Sequence, residues 1–110
     1  MSDVPYLGDL EQLVLLAILQ CGEDAYTVPI RTVLADRSGR RISRGALYTS
    51  LDRLETKGLV KSRLGEPLAI RGGRARRYFV VTATGLAALR QARTAVARLS
   101  RGIESLLERK

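Results

Sequence analysis

No stretch constrains the fold of this chain more than residues 10–19, where Leu10, Leu13, Val14, Leu15, Leu16, Ala17, Ile18 and Leu19 leave room for only Glu11 and Gln12. Asp9 stands where a helix cap is wanted, Glu11 falls in the favourable first turn, and Gly22 supplies a stop. The second half of this helix is apolar nearly all round, so it must be covered on more than one side. A chain of 110 residues builds one domain with one core. The core covers one side of the helix, and a second chain is a candidate for the other. The longest unbroken apolar run, residues 13–19, is far below the ~20 residues that span a bilayer, and the N-terminus lacks the succession of a signal peptide.

Composition removes several chemistries. The chain has no histidine, which is the usual group titrating near neutral pH and the commonest metal ligand. A Ser–His–acid or Cys–His nucleophile therefore cannot be assembled within one chain. The single cysteine, Cys21, cannot form an intrachain disulfide and is expected as a small buried hydrophobe in a reducing, cytoplasmic setting. Neither a Walker-type nor a G-x-G-x-x-G phosphate loop occurs. The expectation is a protein that is not an enzyme and carries neither metal nor cofactor.

Charge is distributed unevenly. Residues 1–36 carry six acids and one base, whereas residues 37–110 carry eighteen bases and five acids, giving the whole chain +8. The middle of the chain thus builds a positive face of the kind that meets phosphates.

The helical pattern arranges that charge. A second helix is expected over 27–35 or 36, with Thr27 as cap, Pro29 tolerated in the first turn, and Ile30, Val33 and Leu34 facing inward. Ser38-Gly39 ends it. Ser43 caps a third helix in which Leu47, Leu51 and Leu54 face the core while Arg44, Tyr48, Thr49, Asp52 and Arg53 face solvent, and Lys57-Gly58 closes it. Two strands follow, over 59–64 and 76–82, joined by a long loop containing Gly72-Gly73, which reads as a flexible turn. Helix, helix, helix and basic hairpin make a mainly α, winged helix-turn-helix arrangement. The candidate DNA contacts are Ser43, Arg44, Gly45, Tyr48, Thr49 and Arg53 on the third helix, with Arg44 and Thr49 placed for base edges. On the hairpin, or wing, they are Lys61, Arg63, Arg71, Arg74 and Arg76.

From residue 83 or 84 to the end the sequence reads as one long helix. Leu86, Leu89, Val96, Leu99, Ile103 and Leu106 form its stripe. Roughly 25 residues at ~1.5 Å each give a rod of about 38 Å, longer than a domain of ~13 Å radius can cover. The expected division is a DNA-binding domain over 1–82 and a C-terminal dimerisation helix over 83–110. Leu13, Leu16, Leu89, Val96, Leu99 and Ile103 are the expected homodimer interface.

The stretch from Ser43 to Val60, with Gly45-Ala46-Leu47-Tyr48, then Arg53-Leu54-Glu55 and Gly58-Leu59, resembles the PadR-type transcriptional regulators. Leu7-Gly8-Asp9-Leu10-Glu11, Arg77-Tyr78-Phe79 and Thr82-Ala83-Thr84-Gly85 extend the likeness over about residues 7–90. After Tyr26, where that family usually has Gly, a bulky residue and Glu, this chain has Thr27-Val28-Pro29. The resemblance implies a dimeric repressor on a palindromic operator in double-stranded DNA, often released by a small apolar or phenolic effector, with one C-terminal helix swapping across the dimer. Two other readings stand beside it: a winged helix for protein–protein contact, and an RNA-associated module without sequence-specific DNA binding. The charged front of the third helix argues against the first, and the scarcity of aromatics, four Tyr and one Phe, argues against the second.

Overall fold

The structure, a computed structural model, describes residues 5–66 and 75–108. Helix α1 (Asp9–Cys21) is capped one residue earlier than expected: Gly8 is the cap position, and the Glu11 carboxylate reaches back to accept its N–H at 2.9 Å. Asp9 is already helical. Gly22, at φ 59°, ends α1 and opens a short 3₁₀ turn over Gly22–Asp24. In α2 (Thr27–Val33) the cap position is Tyr26, and Thr27 is the first helical residue, buried rather than capping. The chain then widens into one π-helical turn, Leu34–Ser38, and Gly39 leaves it in the left-handed conformation.

Helix α3 (Arg44–Thr56) forms as its sequence dictates. The Ser43 hydroxyl accepts the Ala46 N–H at 3.0 Å, and Gly58 at φ 76° turns the chain out after Lys57. Leu47, Leu51 and Leu54 are completely buried. They meet Val14 and Leu15 of α1, Ile30 of α2 and Leu59 in one hydrophobic cluster. Strands β1 (Val60–Leu64) and β2 (Arg77–Val81) pair antiparallel, with Val60 opposite Val81 and Leu64 opposite Arg77. Direct partners share a face, so Val60, Phe79 and Val81 close the core from one side while Lys61, Arg63, Tyr78 and Val80 form the outer face.

Helix α4 (Ala83–Ser100) is capped by Thr82, whose hydroxyl accepts the Gly85 N–H at 3.0 Å and donates to the Gly58 carbonyl at 2.7 Å. Its first turn lies against the end of β1 so closely that a Cβ on Gly85 would stand 2.2 Å from the Leu59 carbonyl oxygen. Gly85→Ala should therefore cost about 1–3 kcal/mol as the helix is pushed off the strand. A melting temperature equal to wild type would contradict this packing.

The expected single rod is not continuous. Arg101 is extended and Gly102 has φ 90°, so the chain turns before the short helix α5 (Glu104–Leu107). Leu89, expected at the dimer seam, is buried in the chain's own core. Beyond Ala92 the described residues leave the apolar stripe uncovered: Val96 is 59% and Leu99 82% exposed, and Ile103, Leu106 and Leu107 are exposed as well. The radius of gyration, 15.9 Å, and a longest dimension of 56 Å reflect this projecting arm, against the ~13 Å radius of a compact domain of this length.

Candidate nucleic-acid interface

The exposed front of α3 carries Arg44, Gly45, Tyr48, Thr49, Asp52 and Arg53. Arg44 has no ion pair among the described residues, so its guanidinium is available to an external acceptor. The Thr49 hydroxyl donates to the Gly45 carbonyl at 3.0 Å, the bond back to the preceding turn that a helical threonine makes, and the residue is exposed. An added Cβ at Gly45 would meet nothing within 4 Å. Packing inside the chain therefore does not explain a glycine in the first turn of α3. The Arg53 charge bears on Glu11 of α1, across the helix pair rather than along its own helix. Arg31 ties α2 to the segment entering α3, its Nε donating to the Ile42 carbonyl at 3.2 Å.

Two carboxylates lock α3 to its neighbours. Glu55 accepts from the Ser62 hydroxyl of β1 at 2.8 Å and from the Arg77 guanidinium of β2, and Arg77 also lies 3.7 Å from Asp52. The Ser62 hydrogen bond is the largest effect on the Glu55 carboxyl; burial opposes it, but with the Arg77 charge added the net shift is downward from 4.5. At the other end of α3, Lys57 Nζ donates to both Glu11 oxygens, at 2.7 and 2.9 Å, and to the Tyr6 carbonyl at 3.3 Å. Burial raises the Glu11 pKa, but Lys57, the Gly8 N–H and the Arg53 charge outweigh it, and the net shift is downward from 4.5. Both carboxyls thus bind protons more weakly in the folded chain than in the unfolded one. Their contribution to stability is whole above pH 4.5 and is lost as pH falls through the lowered values. The urea midpoint of wild type should therefore drop on acidification below the glutamate range, and Glu55→Gln should flatten part of that drop. An unchanged acid profile in the variant would contradict the clamp.

Lys61 and Arg63 lie exposed on β1 and Arg76 is exposed just before β2. Arg71 and Arg74, with Gly72-Gly73, lie outside the described residues. Residues 37–66 and 75–77 thus bring α3's polar front and a basic hairpin together, joined by Glu55 and Arg77. Neither Glu55 nor Arg77 was among the expected site residues. Both occur in the quoted motifs, but only the strand register places them within reach of each other.

A half-open groove of about 640 Å³ lies between the last turn of α1 and the hairpin. Its lining includes Ile18, Leu19 and Val80, with Glu23, Lys61 and Arg63. Cys21 is half-buried and burial pushes its thiol up, which disfavours the reactive thiolate. No helix of the described residues is long and apolar enough to cross a membrane.

Three helices, the third capped and polar on its open side, with an antiparallel hairpin straight after it, define a winged helix-turn-helix protein. Residues 15–91 match the Transcriptional regulator PadR-like family, and the chain belongs to that family. Over 67 residues it is 42% identical to a transcriptional regulator of Mycobacterium tuberculosis, a match covering 61% of this chain. The chain spans about three fifths, 59%, of that relative's length. Among solved structures it is similar to a PadR-like transcriptional regulator from Bacillus cereus, at 27% identity and TM-score 0.69 over 92% of this chain and 93% of that one. It is likewise similar to a PadR family regulator from Eggerthella lenta, at 32% identity and TM-score 0.68 over 93% and 88%. The family and these relatives are transcriptional regulators, not enzymes.

Proposed function

We propose that the protein is a homodimeric repressor that works in the cytoplasm and binds a palindromic operator in double-stranded DNA. In this reading residues 1–82 form the DNA-binding unit and residues 83–110 hold the dimer. Arg44 and Thr49 meet base edges; Ser43, Gly45, Tyr48 and Arg53 approach the backbone; and the hairpin's Lys61, Arg63, Arg71, Arg74 and Arg76 meet flanking phosphates. The observation that carries the reading is the division of α3: Leu47, Leu51 and Leu54 are wholly buried, while Arg44, Tyr48, Thr49, Asp52 and Arg53 opposite them are polar and open. The dimer is supported by the uncovered stripe of Val96, Leu99 and Ile103 and by half-buried Leu13 and Leu16 on α1. A small apolar or phenolic effector releases the repressor; the groove beside the hairpin, with an apolar wall and two cations, is of a size that suits one.

An electrophoretic shift on DNA from upstream of the protein's own gene, against a scrambled duplex, tests the reading. A shift confined to the upstream DNA is expected, and equal retardation of both would contradict sequence-specific repression. Gly45→Ala separates fold from function further. Because the Cβ meets open space and alanine favours helix by up to about 1 kcal/mol, the melting temperature should hold or rise. DNA affinity should nevertheless fall as the methyl group keeps α3 off the backbone. Unchanged affinity would remove Gly45 from the interface.

A further inference from the structure

The loop end of the paired strands is held by a row of rings and guanidinium groups. The Tyr78 ring stands edge-on to Tyr26, with centroids 5.6 Å apart and planes at 69°. The Arg63 guanidinium carbon lies 4.6 Å from the centre of the Tyr78 ring, and that of Arg76 lies 4.3 Å from the centre of the Tyr26 ring. The row therefore runs Arg63, Tyr78, Tyr26, Arg76 and joins both strands to the segment entering α2. Its backbone is fixed too. The Phe79 N–H donates to the Ala25 carbonyl at 2.8 Å, which seats Tyr26 against the edge of β2. At Gly65, whose N–H donates to the Arg76 carbonyl at 2.7 Å, a Cβ would lie 2.7 Å from the Tyr78 ring. Only a glycine lets that ring close over the end of β1.

A guanidinium stacked on a ring uses its face and keeps its N–H edge for hydrogen bonds. Stacking therefore restricts where the two arginines point without consuming what an anion would bind. We propose that Tyr26 is a positioning residue for DNA binding: with Tyr78 it holds Arg76 and Arg63 in place, edges outward, before a phosphate backbone arrives. This rests on the reading of the protein as a DNA-binding dimer, and it assigns a DNA-directed task to a residue that lies on neither α3 nor the hairpin.

The test compares wild type, Tyr26→Leu, Tyr26→Phe, Arg76→Ala and the Tyr26→Leu/Arg76→Ala double variant. Each is titrated with upstream and scrambled duplexes at several salt concentrations, well below its melting temperature. Tyr26→Leu should weaken binding to both duplexes about fivefold or more, since each protomer of the dimer gives up one stacked pair. Its salt dependence should become shallower by about 0.9 for each phosphate that is no longer neutralised. Tyr26→Phe should bind as wild type does. In the Arg76→Ala background Tyr26→Leu should lose most of its effect, because Tyr26 acts through Arg76. Equal binding by wild type and Tyr26→Leu overturns the proposal, and so does an undiminished effect in the Arg76→Ala background, which would mark Tyr26 as structural only. Should Tyr26→Leu fail to fold, proton shifts of the free wild type decide instead. The Arg76 δ-methylene should move upfield under the Tyr26 ring, and a random-coil shift there overturns the proposal. A wild type that binds neither duplex would sink the DNA-binding reading itself, and the proposal with it.

Discussion

Arg44→Ala should abolish most of the preference for cognate DNA while leaving the fold intact. Arg44 stands in the first turn of α3, exposed and without an ion pair among the described residues. Its removal therefore breaks no ion pair among the described residues. A bidentate arginine on a guanine edge is worth ~1–3 kcal/mol of discrimination, and a symmetric dimer presents it twice. The cognate-to-scrambled ratio should consequently fall by about 30-fold or more. Arg76→Ala, on the hairpin, should instead weaken both duplexes alike and flatten the salt dependence. Fluorescence anisotropy with both duplexes decides the matter. If the two variants lower both affinities by the same ratio, α3 and the hairpin do not divide the task between base and backbone.

Leu99→Asp should turn the proposed dimer into a monomer and depress operator binding by about 100-fold or more, because two linked half-sites become two independent ones. Leu99 is 82% exposed in the single chain, so the substitution leaves the packing of the winged helix untouched. A carboxylate placed in a buried seam is costly unless it is paired. Sedimentation velocity at micromolar concentration should give a dimer for wild type and a monomer for the variant, with matching far-UV circular dichroism. A Leu99→Asp dimer of undiminished stability would mean that α4 joins no partner along this stripe.

What could be read from the sequence, and what could not, follows from the range of the interactions. The cap at Ser43, the stripe of Leu47, Leu51 and Leu54, and the exit at Gly58 are local signals, and α3 formed where they put it. The hairpin's strands were also legible, because alternation and β-branched residues are local. The N-terminus of α1 was misjudged by one residue: Glu11, itself held by Lys57 from the far end of α3, caps Gly8, and that pairing spans the fold. Leu89 and Leu99 lie on the same stripe, yet one fills the chain's own core and the other meets solvent. Periodicity identifies an apolar face but does not say which surface covers it. The break at Arg101 and Gly102 was hidden by a stripe that continues in phase through Ile103 and Leu106. The Tyr26 row and the Glu55–Arg77 clamp depend on strand register, which a long loop between the strands leaves open.

The central claim is that two copies of α3, held in one dimer, read one symmetric stretch of DNA. Hydroxyl-radical footprinting of the upstream DNA tests this most directly. The account predicts two protected half-sites related by a dyad, their centres one helical turn of about 34 Å or a multiple of it apart, and both lost together in Leu99→Asp. A single unsymmetric footprint, or protection that survives when the protein is monomeric, would contradict it.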